Sequence, residues 1–260
     1  MGQRLDNATA LYLEAIRDGD YEQAINAYAG HRYTQHSTPV KDGRHGFIEF
    51  FAEFVQRNPI RDIEILRSFE DGPYVFLHVL QTLNNGEFRY VTADIFDTDD
   101  DHKLIEHWDI ITEVADDTMS GHTPIEGPTE IVDLDRTEQN KALVAEFIND
   151  VHHHGNRHNI DRYVSGDSFT QHSPQIADGI SGLVAFLKGL DDRGHPSNYR
   201  EVHNVIGSGN FVAALSEVDL AGTDMAVIDL FRLDEGQIVE HWDVTEEIQP
   251  RETWVNTGKF

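Results

Sequence analysis

Two short words recur along this chain in the same order. Thr34-Gln35-His36-Ser37 returns as Thr170-Gln171-His172-Ser173, and Glu106-His107-Trp108-Asp109 returns as Glu240-His241-Trp242-Asp243. Between them, Asp42-Gly43, Gly46-Phe47 and Phe50 are answered by Asp178-Gly179, Gly182-Leu183 and Phe186, and Asp94-Ile95-Phe96 by Asp229-Leu230-Phe231. The separation drifts from 136 to 135 to 134 residues, as small loop changes would make it. Solenoid repeats have periods of roughly 20–50 residues. A period this long is a tandem duplication of one domain, so the 260 residues must fold as two similar halves.

The expected boundaries are residues 1–115 for the first domain, 116–136 for a linker, 137–248 for the second domain and 249–260 for a tail that either docks or frays. The linker carries two prolines and two glycines and no helical period. Apolar spacing predicts helices over Leu5–Arg17, Tyr21–Ala29 and Gly43–Arg57, then strands over Ile63–Phe69, Tyr74–Thr82, Phe88–Phe96 and Leu104–Val114. The second half repeats the order, with helices near Glu138–Val151, Ile160–Val164 and Ile180–Leu190. Its strands fall near Tyr199–Ile206, Phe211–Leu220, Met225–Leu233 and Gln237–Glu247. Helices followed by an antiparallel meander make each half an α+β domain.

Composition narrows the function. There is no cysteine, which removes disulfides, thiolate metal sites and cysteine nucleophiles together. Asp and Glu number 47 against 20 Lys and Arg, a net charge of −27. A field of that sign repels nucleic acid and anionic lipid, so neither is an expected partner. The carboxylates are spread along the whole chain, which suits either a solubilising surface or a salt-adapted, halophilic cytoplasm. No apolar run reaches the ~20 residues of a membrane span. The N-terminus reads as an amphipathic helix rather than a signal peptide, so a soluble cytoplasmic protein is expected.

The sequence of helices, the QHS segment, Asp-Gly, a third helix, the meander, Asp-(Ile/Leu)-Phe and Glu-His-Trp-Asp resembles the SnoaL-like branch of the NTF2-like superfamily. The resemblance covers most of both halves and is tightest over Asp229–Arg232 and Gly236–Asp243. It implies two cones, each a curved antiparallel sheet wrapped around about three helices with a pocket in the open end. It also implies intramolecular aldol chemistry of the polyketide-cyclase type without metal or cofactor, with Asp243 and Asp109 in the acid/base position. Single-copy relatives pair through their sheets. The duplicate is therefore expected to pack as a pseudo-dimer within one chain, with Trp108 and Trp242 near the contact; dimerisation of the whole chain is left open.

Strand parity groups the candidate catalytic residues. His241 and Asp243 share one face of the last strand, and a tight turn at Asp234–Gly236 would bring Asp229 roughly opposite His241. The first-copy equivalents are Asp94, His107 and Asp109. Two carboxylates around an imidazole in an apolar cone suit proton abstraction beside a carbonyl: one Asp takes the proton and His donates to the developing enolate. The alternative for these residues is a buried brace that only fixes the sheet. His36 and His172 are expected to reach over the pocket mouth, with Gln35 and Gln171 facing away. His78, matched by Leu215 in the second copy, adds a histidine to the first, which makes Asp109 the expected more sensitive aspartate.

His152-His153-His154 with His158 reads as a solvated helix end, because adjacent histidines fan around the axis. His36, His78 and His107 with Asp94 form a ligand set suited to zinc or iron, weighed as an alternative to a metal-free site. No phosphate loop, G-x-S-x-G elbow or HExxH occurs. The leading expectation is a cofactor-free acid/base enzyme acting on a small carbonyl compound. The alternative is a duplicated binding protein whose cones hold a small molecule without turning it over.

Overall fold

The computed structural model describes residues 2–260 and falls into two units. One is the chain up to Glu113 together with Gln249–Phe260; the other is Val114–Ile248.

In the first unit, α1 (Gln3–Tyr12) runs into a π-helical turn, Leu13–Asp18, which ends at Gly19 with φ +87°. Helix α2 (Tyr21–Tyr28), strand β1 (Ala29–Gln35) and helix α3 (Gly43–Arg57) follow. Strands β2 (Arg61–Asp71), β3 (Tyr74–Leu83), β4 (Phe88–Thr98) and β5 (Leu104–Glu113) form the meander. The sheet order is β1-β5-β4-β3-β2, antiparallel except that β1 pairs parallel with β5. The short first strand makes the sheet mixed rather than purely antiparallel. Leu5, Ala8, Leu11, Tyr12 and Ala15 of the first helix bury against Val75, Leu77 and Val79 of β3.

The second unit has the same plan. Helix α4 (Thr137–Phe147) runs into a π-helical turn, Ile148–His153. A 3-10 helix, Arg157–Arg162, stands where the first unit has α2. Strand β6 (Thr170–Gln171), helix α5 (Gly179–Asp192) and strands β7 (Asn198–Ser208), β8 (Phe211–Leu220), β9 (Thr223–Asp234) and β10 (Gln237–Glu247) complete it. The order is β6-β10-β9-β8-β7, with β6 parallel to β10.

The repeated Asp-Gly-x-x-Gly has a physical cause. A Cβ at Gly46 would lie 2.1 Å from the Lys41 carbonyl oxygen, and one at Gly182 2.0 Å from that of Ala177. The first turn of α3 and of α5 therefore packs on the preceding loop only with glycine there. Asp42 and Asp178 each accept the backbone N–H of Gln35 or Gln171 at 2.8 Å, which fixes the glutamine segment relative to the helix.

The tail docks. Within the first unit, Val255 N–H donates to Thr38 O and the Gly258 carbonyl meets His36 Nδ1 at 2.8 Å. Within the second, Met119 N–H donates to Pro174 O and the Thr123 carbonyl meets His172 Nδ1 at 2.8 Å. The stretch after β5 and the stretch after β10 thus make matching contacts in their respective units. Among the described residues no helix is long and apolar enough to cross a membrane.

Candidate active site

The floor of each pocket is set by strand register. Asp229 pairs across the ladder with Asp243, and His241 with Phe231. The expected turn would have put Asp229 opposite His241; the observed pairing of Asp234 with Gln237 already brings it level with Trp242, and a bulge at Val239, between the Ile238 and Glu240 pairings, moves it one residue further to Asp243. Ile105 is skipped in the same way in the first unit, so Asp94 faces Asp109 and Phe96 faces His107. The bulge therefore lies in the last strand of both copies.

Each imidazole is held between a glutamine and an aspartate. His107 Nδ1 lies 2.9 Å from Gln35 Oε1, and His107 Nε2 lies 2.9 Å from Asp94 Oδ1. Gln35 Oε1 also accepts the backbone N–H groups of His36 and Ser37, so that atom is the amide oxygen and His107 Nδ1 must carry a proton. The bond from Nε2 to Asp94 then needs a second proton, held between the two groups. The second unit repeats this: Gln171 Oε1 accepts from Ser173 N–H and from His241 Nδ1, and His241 Nε2 lies 2.9 Å from Asp229 Oδ1. Each floor is thus an Asp–His pair holding one extra proton beside a second carboxylate.

The surroundings of the carboxylates differ. In the first unit Thr92 Oγ1 donates to Asp94 Oδ2 at 2.7 Å, and Tyr12 OH, which accepts from Gln81 Nε2, donates to Thr92. Burial raises the Asp94 pKa, against the lowering effect of His107 and with a further push from Asp109. Asp109 Oδ1 faces the buried Lys259 Nζ at 3.6 Å. In the second unit the Tyr199 hydroxyl lies 3.2 and 3.0 Å from the two oxygens of Asp229, and Ser173 Oγ donates to Asp243 Oδ2 at 2.9 Å. Burial raises the Asp243 pKa; His241 opposes the rise and Asp229 adds to it.

His36, His172 and His78 are not in the pockets. The parallel pairing of His241 with Gln171, and of His107 with Gln35, turns each glutamine inward and the next residue outward. His36 stacks on Trp108 with ring centroids 4.8 Å apart and meets Glu106 Oε1 at 2.9 Å. His172 stacks on Trp242 at 4.6 Å and meets Glu240 Oε1 at 2.8 Å. Although its own burial works against it, His172 and Arg232 hold the Glu240 carboxyl below its ordinary range. Glu-His-Trp-Asp is thus split by parity, His and Asp to the pocket and Glu and Trp to a brace on the other face. His78 pairs with Ala93 of β4, on the face opposite Asp94, and its Nδ1 lies 3.2 Å from Arg67 Nη1. The zinc-type set of His36, His78, His107 and Asp94 is therefore dispersed, and no metal-ready group of three such side chains occurs among the described residues.

Sequence reasoning missed several pocket residues. Gln35 and Gln171 were expected to face away and instead hold the histidines; their place in the repeated word was the available signal. Tyr12 and Tyr199 line the pockets from residues that are not repeated between the copies, and Lys259 reaches Asp109 from the tail, so none carried a repeat signal. His152, read as part of a solvated helix end, lines the second pocket together with Phe147, Tyr199, Asp229, His241 and Asp243. The pockets enclose about 640 Å³ in the second unit and about 630 Å³ in the first, mouths included.

The fold and site define a tandem of α+β cones, each closing an apolar pocket on an Asp–His–Asp floor. Residues 9–107 match the SnoaL-like domain family. That match lies within the first unit, and the second unit repeats the first one's strand order, bulge and floor. Among curated proteins none matches this chain. Solved structures similar to it include a protein from Bacillus cereus assigned as a polyketide cyclase, with 19% identity, 42% of this chain and 73% of that chain covered, and a TM-score of 0.38. Another is an NTF2-like protein of unknown function from Cytophaga hutchinsonii, with 21% identity, coverage of 46% and 95%, and a TM-score of 0.35. A third, from Kribbella flavida, is assigned as a ketosteroid isomerase, with 15% identity, coverage of 44% and 83%, and a TM-score of 0.37.

Proposed function

We propose that the second cone performs cofactor-free acid/base chemistry on a small carbonyl compound, of aldol, cyclase or isomerase type. One observation carries this reading: Asp243, a carboxylate raised by burial, stands directly across the ladder from an Asp229–His241 pair that holds a proton. A base of raised pKa takes a proton from carbon more effectively than an ordinary carboxylate. Both His241 nitrogens are already bonded, so His241 has no free N–H to offer a substrate. The Tyr199 hydroxyl, spread over both oxygens of Asp229, is the donor that can turn to a substrate oxygen as charge develops there.

The first cone fits the alternative, ligand holding without turnover, because Asp109 already faces the Lys259 ammonium. The sequence had favoured the first copy for its extra histidines, but His36 and His78 lie on the other face of its sheet.

Deuterium uptake at the α-carbon of ethyl 2-methylacetoacetate in D2O tests the proposal. Asp243→Asn should lower the catalysed rate by about 100-fold or more, the usual share of a general base. Asp109→Asn should leave the rate largely unchanged. A folded Asp243→Asn variant with the wild-type rate would show the aspartate to be a brace.

A further inference from the structure

The two cones share a floor but not a wall. The π-helical turns Leu13–Asp18 and Ile148–His153 are equivalent, and their fifth residues are Arg17 and His152. Arg17 lies at the surface, bonded to Asp18 at 2.7 Å. His152 enters the second pocket, edge-on to Phe147 at 5.0 Å and beside the Tyr199 ring at 4.7 Å between centroids. Its Nδ1 is shut off from solvent and has no hydrogen-bond partner. Nearly every buried polar atom is paired in a folded protein, so an orphan on a pocket wall marks where a ligand atom belongs. Burial first, then the charges of Arg157 and His241, push the His152 pKa down to about 3, so the ring is neutral at physiological pH and does not select for an anion. The wall of the first cone carries Phe50, Phe51 and Phe54 and no histidine other than His107 of the floor.

Resting on the reading of the second cone as a ligand site, we propose that His152 is a substrate-contacting residue that makes this cone selective for neutral compounds with two neighbouring oxygen functions, such as 1,3-dicarbonyls. One oxygen meets the Tyr199 hydroxyl at the Asp229 floor. The other meets the His152 imidazole, which packs against the same tyrosine ring. The first cone has no counterpart and takes ligands on its phenyl wall without this second polar contact.

The test separates binding from turnover by using a probe that cannot enolise. Calorimetric affinities of 2,2-dimethyl-1,3-cyclohexanedione and of 2,2-dimethylcyclohexanone are compared on the full chain, for wild type, His152→Phe and His152→Leu. Wild type should prefer the dione by about tenfold, the size of one hydrogen bond to a buried group. Either variant should erase that preference and leave the monoketone affinity in place. In wild type the dione, and not the monoketone, should shift the His152 imidazole NMR signal. An unchanged preference in both variants overturns the proposal, as does a wild type that binds neither compound or leaves the His152 signal unmoved. If the variants do not fold, the wild-type NMR shift decides alone. Loss of α-carbon exchange with this selectivity intact would sink the catalytic reading and leave the role of His152 standing.

Discussion

Asp243 lies directly opposite Asp229 on the neighbouring strand, with His241 bonded to the second and not to the first. One bulged residue, Val239, creates that relation, and Ile105 creates it again between Asp109 and Asp94. The consequence is a division of labour. One aspartate of each pair is tied to the imidazole, while the other is left to whatever the copy provides: Ser173 in the second, Lys259 in the first.

The glutamine that sets the imidazole tautomer should matter for stability. Gln35→Met removes the oxygen that three donors share, His36 N–H, Ser37 N–H and His107 Nδ1–H. Buried donors left without an acceptor should cost about 1–3 kcal/mol, read as a lower urea midpoint for the first unit.

Lys259 should behave as one half of a buried pair. Lys259→Met leaves Asp109 facing no cation and should destabilise the first unit by roughly 2 kcal/mol, below the usual 3–5 because the N···O distance is 3.6 Å. Adding Asp109→Asn should restore much of the loss. A double-mutant cycle with no coupling would show that the two charges do not interact.

His152 should give the second unit a pH dependence. Its folded pKa of about 3 lies below the ordinary value of 6.5, so the unfolded chain binds the proton more readily. The stability this contributes is fully present above pH 6.5 and is lost as pH falls from there toward 3. Tm should therefore fall between pH 7 and pH 5, and by less in His152→Phe.

The net charge of −27 should make the fold salt-dependent. Raising KCl from about 0.1 to 2 M shortens the screening length from ~10 Å to under 3 Å and removes carboxylate repulsion. Tm should rise across that range; a flat response would mark the acidity as ordinary surface solubility.

The sequence by itself determined the duplication, the α+β order of each half, and the Asp–His–Asp set, because these rest on repeated residues and on local periodicity. Parity along a single strand separated His241 and Asp243 from Glu240 and Trp242 with no structure needed. What only the tertiary structure decided are relations between strands far apart in the chain. The bulges at Ile105 and Val239 shift register by one residue, which no count along a turn reveals. The parallel pairing of β1 on β5 and of β6 on β10 turns Gln35 and Gln171 inward and sends His36 and His172 to stack on tryptophans. The direction in which a helix end points decides whether His152 is solvated or lines a wall, and periodicity is silent on that. Lys259 lies 150 residues from Asp109 in sequence, and only the docked tail brings them together.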